Sequence, residues 1–125
     1  MQSLLRESYM KSLSKSFKHA FIGLGNLISK EPNAKIHAAA TITVIVLGIY
    51  YQLNTIEWVL SIIAILMVWA AEAVNTAIEC LADEITTEMN SNIKLAKDLS
   101  AGAVLLVVIV AVIIGIMVFG PYFLS

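Results

Sequence analysis

Three apolar segments, each about long enough to cross a bilayer, run through a chain of only 125 residues, and one of them carries a row of acids. The first is IHAAATITVIVLGIYYQL, beginning at Ile36. The second runs from Ile56 through SIIAILMVWAAEAVNTAIECL. The third, SAGAVLLVVIVAVIIGIMVFGPYFL, extends from Ser100 to Leu124 without a charge. With 59% hydrophobic and 14% charged residues, the chain has too few polar groups to cover a water-facing surface. The fold expected is an all-α membrane protein with one domain over residues 1–125 and transmembrane spans at about 34–53, 56–81 and 98–124.

Charge placement orients these spans. Arg6, Lys11, Lys15, Lys18, Lys30 and Lys35 precede the first, and Lys94 and Lys97 lie between the second and third. With three spans both groups share one side, which the positive-inside rule makes cytoplasmic, together with the N-terminus. The QLNT turn and the C-terminus then lie outside, where Tyr50, Tyr51, Trp58 and Tyr122 fit aromatic anchoring. Upstream, Leu5, Tyr9, Leu13, Phe17, Phe21, Leu24 and Ile28 recur every three or four residues among lysines. The pattern predicts an N-terminal amphipathic surface helix over about 4–29, held on the cytoplasmic leaflet by anionic headgroups and ended near Pro32.

Other function classes are disfavoured. A net charge of -1 lacks the basic surplus of a nucleic-acid binder. The single cysteine, Cys80, permits no intramolecular disulfide and reads as a small apolar helix residue. The N-terminus lacks the uninterrupted apolar core and cleavage site of a signal peptide. Three spans without an internal repeat are too few for the paired halves of a typical transporter.

The acids lie in AEAVNTAIECLADE, residues 71–84. At 100° per residue, Glu72, Asn75, Glu79 and Asp83 fall within an arc of about 80° and rise about 16 Å along the helix. Glu72 and Glu79 left ionised and unpaired in hydrocarbon would cost roughly 5–7 kcal/mol, comparable to the stability of a small protein. Lys94 and Lys97 could each pair with one acid, but they sit at the interface end. A divalent cation such as Mg²⁺ suits carboxylates grouped with an amide oxygen, with Glu31 within reach from the start of the first span. Protonation of Glu72 in a low-dielectric site would suit a general base or acid. Spacing alone leaves three readings open: hydrogen-bonded glue between helices, a proton or ion pathway, and a catalytic site.

Next along the chain, SNIKLAKDLSAGAVLL sets Lys97 and Asp98 before Ser100, Ala101, Gly102 and Ala103, small residues that permit close helix approach. Lys97 can meet a phosphate or serve as a snorkelling anchor. GLGN, residues 23–26, is neither a Walker loop nor a dinucleotide fingerprint, and its glycines read as close-packing sites. His19 and His37 are too isolated for zinc and read as interfacial polar residues.

EAVNTAIECLADE followed by KLAKDLSAGAVLL resembles the signature of the bacterial membrane-integral diacylglycerol kinases and undecaprenol kinases, and the likeness covers nearly the whole chain. It implies a homotrimer in the bacterial cytoplasmic membrane with active sites shared between subunits, using ATP and Mg²⁺ to phosphorylate a lipid hydroxyl. It further implies that Glu72 is the catalytic base and that Glu31 and Glu79 hold the metal and the ATP bound to it. Lys97 would contact the ATP phosphates, Asp98 the nucleotide region, and Asn75 and Asp83 would be polar support. The connection ITTEMNSNIK departs from the family in lacking its proline and aromatic-histidine character, which bears on nucleotide affinity. KEPNAKIH and IEW resemble the undecaprenol branch, with diacylglycerol as the alternative substrate. A small ion or proton carrier, which would not consume ATP, and a non-enzymatic membrane subunit are the readings from other classes.

Overall fold

A computed structural model describes residues 1–85, 88 and 90–125. Among these, four helices follow one another: α1 (Gln2–Lys30), α2 (Pro32–Tyr51), α3 (Thr55–Ile85) and α4 (Ser91–Leu124). The last three are long and apolar enough to cross a membrane. At 1.5 Å per residue α2 is about 30 Å long, the thickness of the hydrocarbon core, whereas α3 and α4 reach about 46 and 51 Å. Both outrun the spans expected at 56–81 and 98–124, as a helix can where it continues past a membrane interface and water satisfies its polar side chains.

Each break between helices has a local cause. Glu31 is extended (φ -89°, ψ 120°), as the residue before a proline prefers to be, and its N–H still donates to Leu27 O at 3.1 Å. Pro32 then opens α2, where a missing N–H costs nothing. At the other end, Gln52 is left-handed (φ 55°, ψ 58°), and the Leu53 N–H closes on Gly48 O at 3.1 Å in the manner of a helix-terminating turn. α3 begins with a reciprocal cap: Glu57 N–H donates to Asn54 Oδ1 (2.9 Å) and Asn54 N–H to Glu57 Oε1 (3.1 Å). α4 begins with Asn90, whose Oδ1 accepts from the N–H groups of Asn92 (2.9 Å) and Ile93 (3.3 Å).

α3 and α4 form the most extensive pair, and α2 packs on α3. Buried small residues, Ala64 and Ala82 of α3 and Ala34 of α2, mark close contacts, as expected where van der Waals fit rather than hydrophobicity joins helices. Leu53, Val118 and Phe119 make an apolar cluster at the turn end, covered by Tyr51, Trp58 and Tyr122. The aromatic residues expected to share one membrane face do meet there, with ring centroids 4.9 Å apart for Tyr50 and Tyr51 and 5.2 Å for Tyr51 and Tyr122.

The glycine expectations need correction. A Cβ on Gly23, Gly25 or Gly102 would meet nothing within 4 Å among the described residues of the chain, so none of them is a close-packing site there. Gly48 is one: a Cβ there would lie 2.5 Å from Trp58 Cη2. No local motif distinguishes Gly48, because its constraint comes from an indole across the hairpin.

Candidate active site

Burial along the polar stripe of α3 is graded. Glu72 is 2% exposed and Asn75 8%, Glu79 is half-buried, and Asp83 is open to solvent. The four residues share a face, so the stripe passes from the interior of the helix pair to the surface at the end carrying the α3–α4 connection.

Three interactions organise it. Ser100 Oγ lies 2.7 Å from Asn75 Oδ1 and 3.0 Å from Lys97 O, and its single proton serves the shorter bond best. That turns the Asn75 amide so that Nδ2 donates to Glu79 Oε1 at 3.4 Å. Lower down, Lys97 Nζ pairs with Asp83 Oδ1 at 2.6 Å. Lys94 pairs instead with Asp98 on its own helix, also at 2.6 Å. Lysine thus reaches the shallow acid Asp83 and not Glu72 or Glu79, in keeping with its place at the interface end.

Glu72 has a partner that the sequence reading did not assign to it. His37 Nε2 lies 3.3 Å from Glu72 Oε2, and the two side chains are 17% and 3% exposed. The reading of His37 as an isolated interfacial residue is therefore corrected. The α2–α3 hairpin is antiparallel, and counting outward from QLNT puts His37 and Glu72 at similar depth, a signal that helical periodicity within one segment does not contain. His37 also meets Trp69 edge to face, with centroids 5.9 Å apart. Trp69 Nε1 donates to Thr41 Oγ1 (3.0 Å), and that hydroxyl donates to His37 O (2.7 Å).

Other expected residues stand apart. Glu31 is half-buried at the α1–α2 break, and among the described residues no hydrogen bond or ion pair joins its side chain to the stripe. Among the described residues, no three His, Cys, Asp or Glu side chains come close enough to hold a metal unaided. Thr76, beside the stripe, has its Oγ1 buried without a hydrogen-bond partner among the described residues. In ITTEMNSNIK, Thr86, Thr87 and Met89 lie outside the described residues, and with them the bearing of this connection on nucleotide binding.

An apolar cavity of about 360 Å³ opens between α2, α3 and α4. Val44, Ile65, Val108 and Phe119 are among its walls, and Thr41, Trp69 and His37 line its polar part. The arrangement combines a buried carboxylate, a neighbouring apolar space and a charged stripe leading to solvent.

Comparison with known proteins places these features in context. The family described as prokaryotic diacylglycerol kinase matches residues 18–119. Undecaprenol kinase of Bacillus subtilis (strain 168) is 36% identical over 121 residues, covering 97% of this chain and 98% of its own length. A diacylglycerol kinase of Synechocystis is 33% identical over 101 residues, which is 80% of this chain and 58% of that protein. The diacylglycerol kinase of Escherichia coli (strain K12) is 30% identical over 99 residues, 79% of this chain and 81% of its own.

Proposed function

The chain belongs to the prokaryotic diacylglycerol kinase family and is a lipid kinase, and we propose that it transfers the γ-phosphoryl group of ATP to undecaprenol, with diacylglycerol as the second reading. The undecaprenol kinase relative aligns over nearly the full length of both chains, which favours the first substrate; the family description and the other relatives favour the second. The carrying observation is Glu72, a buried carboxylate at the deep end of a stripe that opens to solvent, bonded to a histidine on the wall of an apolar cavity.

In this reaction the lipid hydroxyl oxygen bonds to the γ-phosphorus, the bond to the β–γ bridging oxygen breaks, and the hydroxyl proton passes to Glu72. Phosphoryl transfer asks a protein for alignment and charge neutralisation more than for covalent help. Lys97 would contact the phosphates on leaving Asp83, and Asp98 the nucleotide. Mg²⁺ is compatible with the donors on the stripe: Asn75 orients the Glu79 carboxylate, Glu31 would supply a second as the resemblance implies, and an ion that takes one or two protein carboxylates and completes its shell with phosphate and water needs no three-residue cluster. When bound it would screen the phosphate oxygens. Asn75 and Asp83 act as polar support.

The topology in this reading is a single domain over residues 1–125 in the bacterial cytoplasmic membrane, with spans at about 34–53, 56–81 and 98–124 and a cytoplasmic N-terminus, supported by the lysine and arginine positions. α1 lies on the inner leaflet, supported by its exposed Leu5, Tyr9, Phe17 and Phe21 among lysines. The assembly is a homotrimer, carried over from the resemblance.

The test is transfer of labelled γ-phosphate from ATP to undecaprenol and to diacylglycerol in mixed micelles with Mg²⁺, alongside Glu72→Gln. Loss of the base should lower kcat by about 10²–10⁴. A folded Glu72→Gln protein with wild-type kcat would remove Glu72 from the mechanism, and the faster acceptor identifies the substrate.

A further inference from the structure

We propose that His37 is a positioning residue for the base, fixing the Glu72 carboxylate so that one oxygen faces the lipid hydroxyl; the inference rests on the reading of Glu72 as base. The residues come from different helices and meet where both are largely shielded from water, with Nε2 and Oε2 3.3 Å apart. A carboxylate can accept at either oxygen. The imidazole engages Oε2, and among the described residues no hydrogen bond reaches Oε1. One oxygen is thereby held and the other left to accept a proton. The imidazole N–H also supplies a hydrogen bond to a carboxylate only 2% exposed, where an unpaired ion is most costly.

The imidazole is itself held from two directions. Trp69, one turn before Glu72 on α3, presents its ring to His37 at an interplanar angle of 66°. The same indole donates to Thr41, one turn along α2, whose hydroxyl returns to the His37 carbonyl. α2 and α3 are thus tied at two levels, at Thr41–Trp69 and at His37–Glu72. Such a supporting set keeps a reacting group within the narrow tolerance that catalysis requires. The position of His37 on the wall of the apolar cavity also sets it beside the space where a lipid chain would lie.

The experiment pairs kinetics with a direct readout of the contact. His37→Leu should lower kcat by about 10- to 100-fold, the range for groups that orient a reacting ligand, with KM for ATP and for lipid within about twofold of wild type. His37→Gln, which retains an N–H donor on a side chain of similar reach, should recover most of the loss. Combined with Glu72→Gln, the His37→Leu change should add nothing further, because the two side chains act as one unit. The chain has two histidines, so ¹⁵N-labelled imidazole gives two sets of resonances, and His37→Gln assigns them. Glu72→Gln should shift the His37 Nε2 signal and leave His19 unmoved, an outcome that holds even where His37→Leu folds poorly.

Wild-type kcat in His37→Leu, with Glu72→Gln inactive, would overturn the positioning role while leaving Glu72 as base. An unmoved His37 resonance in Glu72→Gln would overturn the contact itself. Full activity in Glu72→Gln would overturn the base, and the positioning role with it.

Discussion

Ser100→Ala isolates the contact on which the Asn75 amide depends. The hydroxyl and its acceptor are 2.7 Å apart, and each residue is 8% exposed. Alanine leaves Asn75 Oδ1 buried without a donor, which in general costs about 1–3 kcal/mol. Interhelical hydrogen bonds in membranes average about 0.6 kcal/mol and reach about 1.7, because the separated helices find other partners in lipid. The short distance and the burial place this bond in the upper half of that range, so a destabilisation of about 1 kcal/mol is expected, roughly a fivefold change in the folding equilibrium. A second effect follows from the same atoms. Once Oδ1 is released, the amide can rotate, and its 3.4 Å bond to Glu79 Oε1 no longer holds that carboxylate in place. The Mg²⁺ concentration giving half-maximal kinase activity should therefore rise several-fold, and Ser100→Thr, which keeps a hydroxyl, should restore much of it. Reversible denaturation in mixed micelles reads the first effect and a Mg²⁺ titration of activity the second. Zero coupling between Ser100→Ala and Asn75→Ala, together with an unchanged Mg²⁺ requirement, would refute the reasoning.

Gly48→Ala places a methyl 2.5 Å from Trp58 Cη2; the overpacking should cost about 1–3 kcal/mol, offset by about 1 from alanine's helix propensity. Trp58→Leu in the same chain should relieve the strain, and a denaturation midpoint in Gly48→Ala at or above wild type would show that the indole moves freely. Asp83→Asn removes the acid that holds Lys97, so KM for ATP should fall while the denaturation midpoint stays put; an unchanged KM, with Lys97→Met raising it, would mean that Asp83 does not compete with phosphate. Tyr122→Phe deletes the 2.7 Å bond from its hydroxyl to Glu57 Oε1 and should lower the midpoint, whereas a change confined to activity would contradict a role in joining the far ends of α3 and α4.

What the sequence makes legible follows from the kind of signal each feature leaves. The helical chain and its three apolar segments are visible because hydrocarbon demands long runs without charge, and four acids and amides in such a run stand out at helical spacing. The Lys97–Asp83 pair is anticipated in kind, since a lysine at the interface end has an acid within reach. His37 is missed because its meaning lies in the pairing of α2 with α3, and one histidine near the start of a span looks like an ordinary interfacial residue. Gly48 is missed for the same reason, while Gly23 and Gly25 attract notice by their grouping, yet a Cβ on either would meet nothing within 4 Å among the described residues. The Asn75–Ser100 bond lies between these cases, with both residues noticed and their contact left to the register of α3 and α4.

That register has a means of correction built into it. Glu57–Tyr122, Asn75–Ser100 and Asp83–Lys97 bridge α3 and α4 at three points spread over about 39 Å of helix. Between them the two helices face each other largely through aliphatic side chains, which discriminate poorly between one alignment and the next. A slide of a single turn, about 5.4 Å, would part all three bridges together. The correct alignment is thus separated from its neighbours by the simultaneous loss of three polar contacts, much as a key with three cuts turns at one depth only.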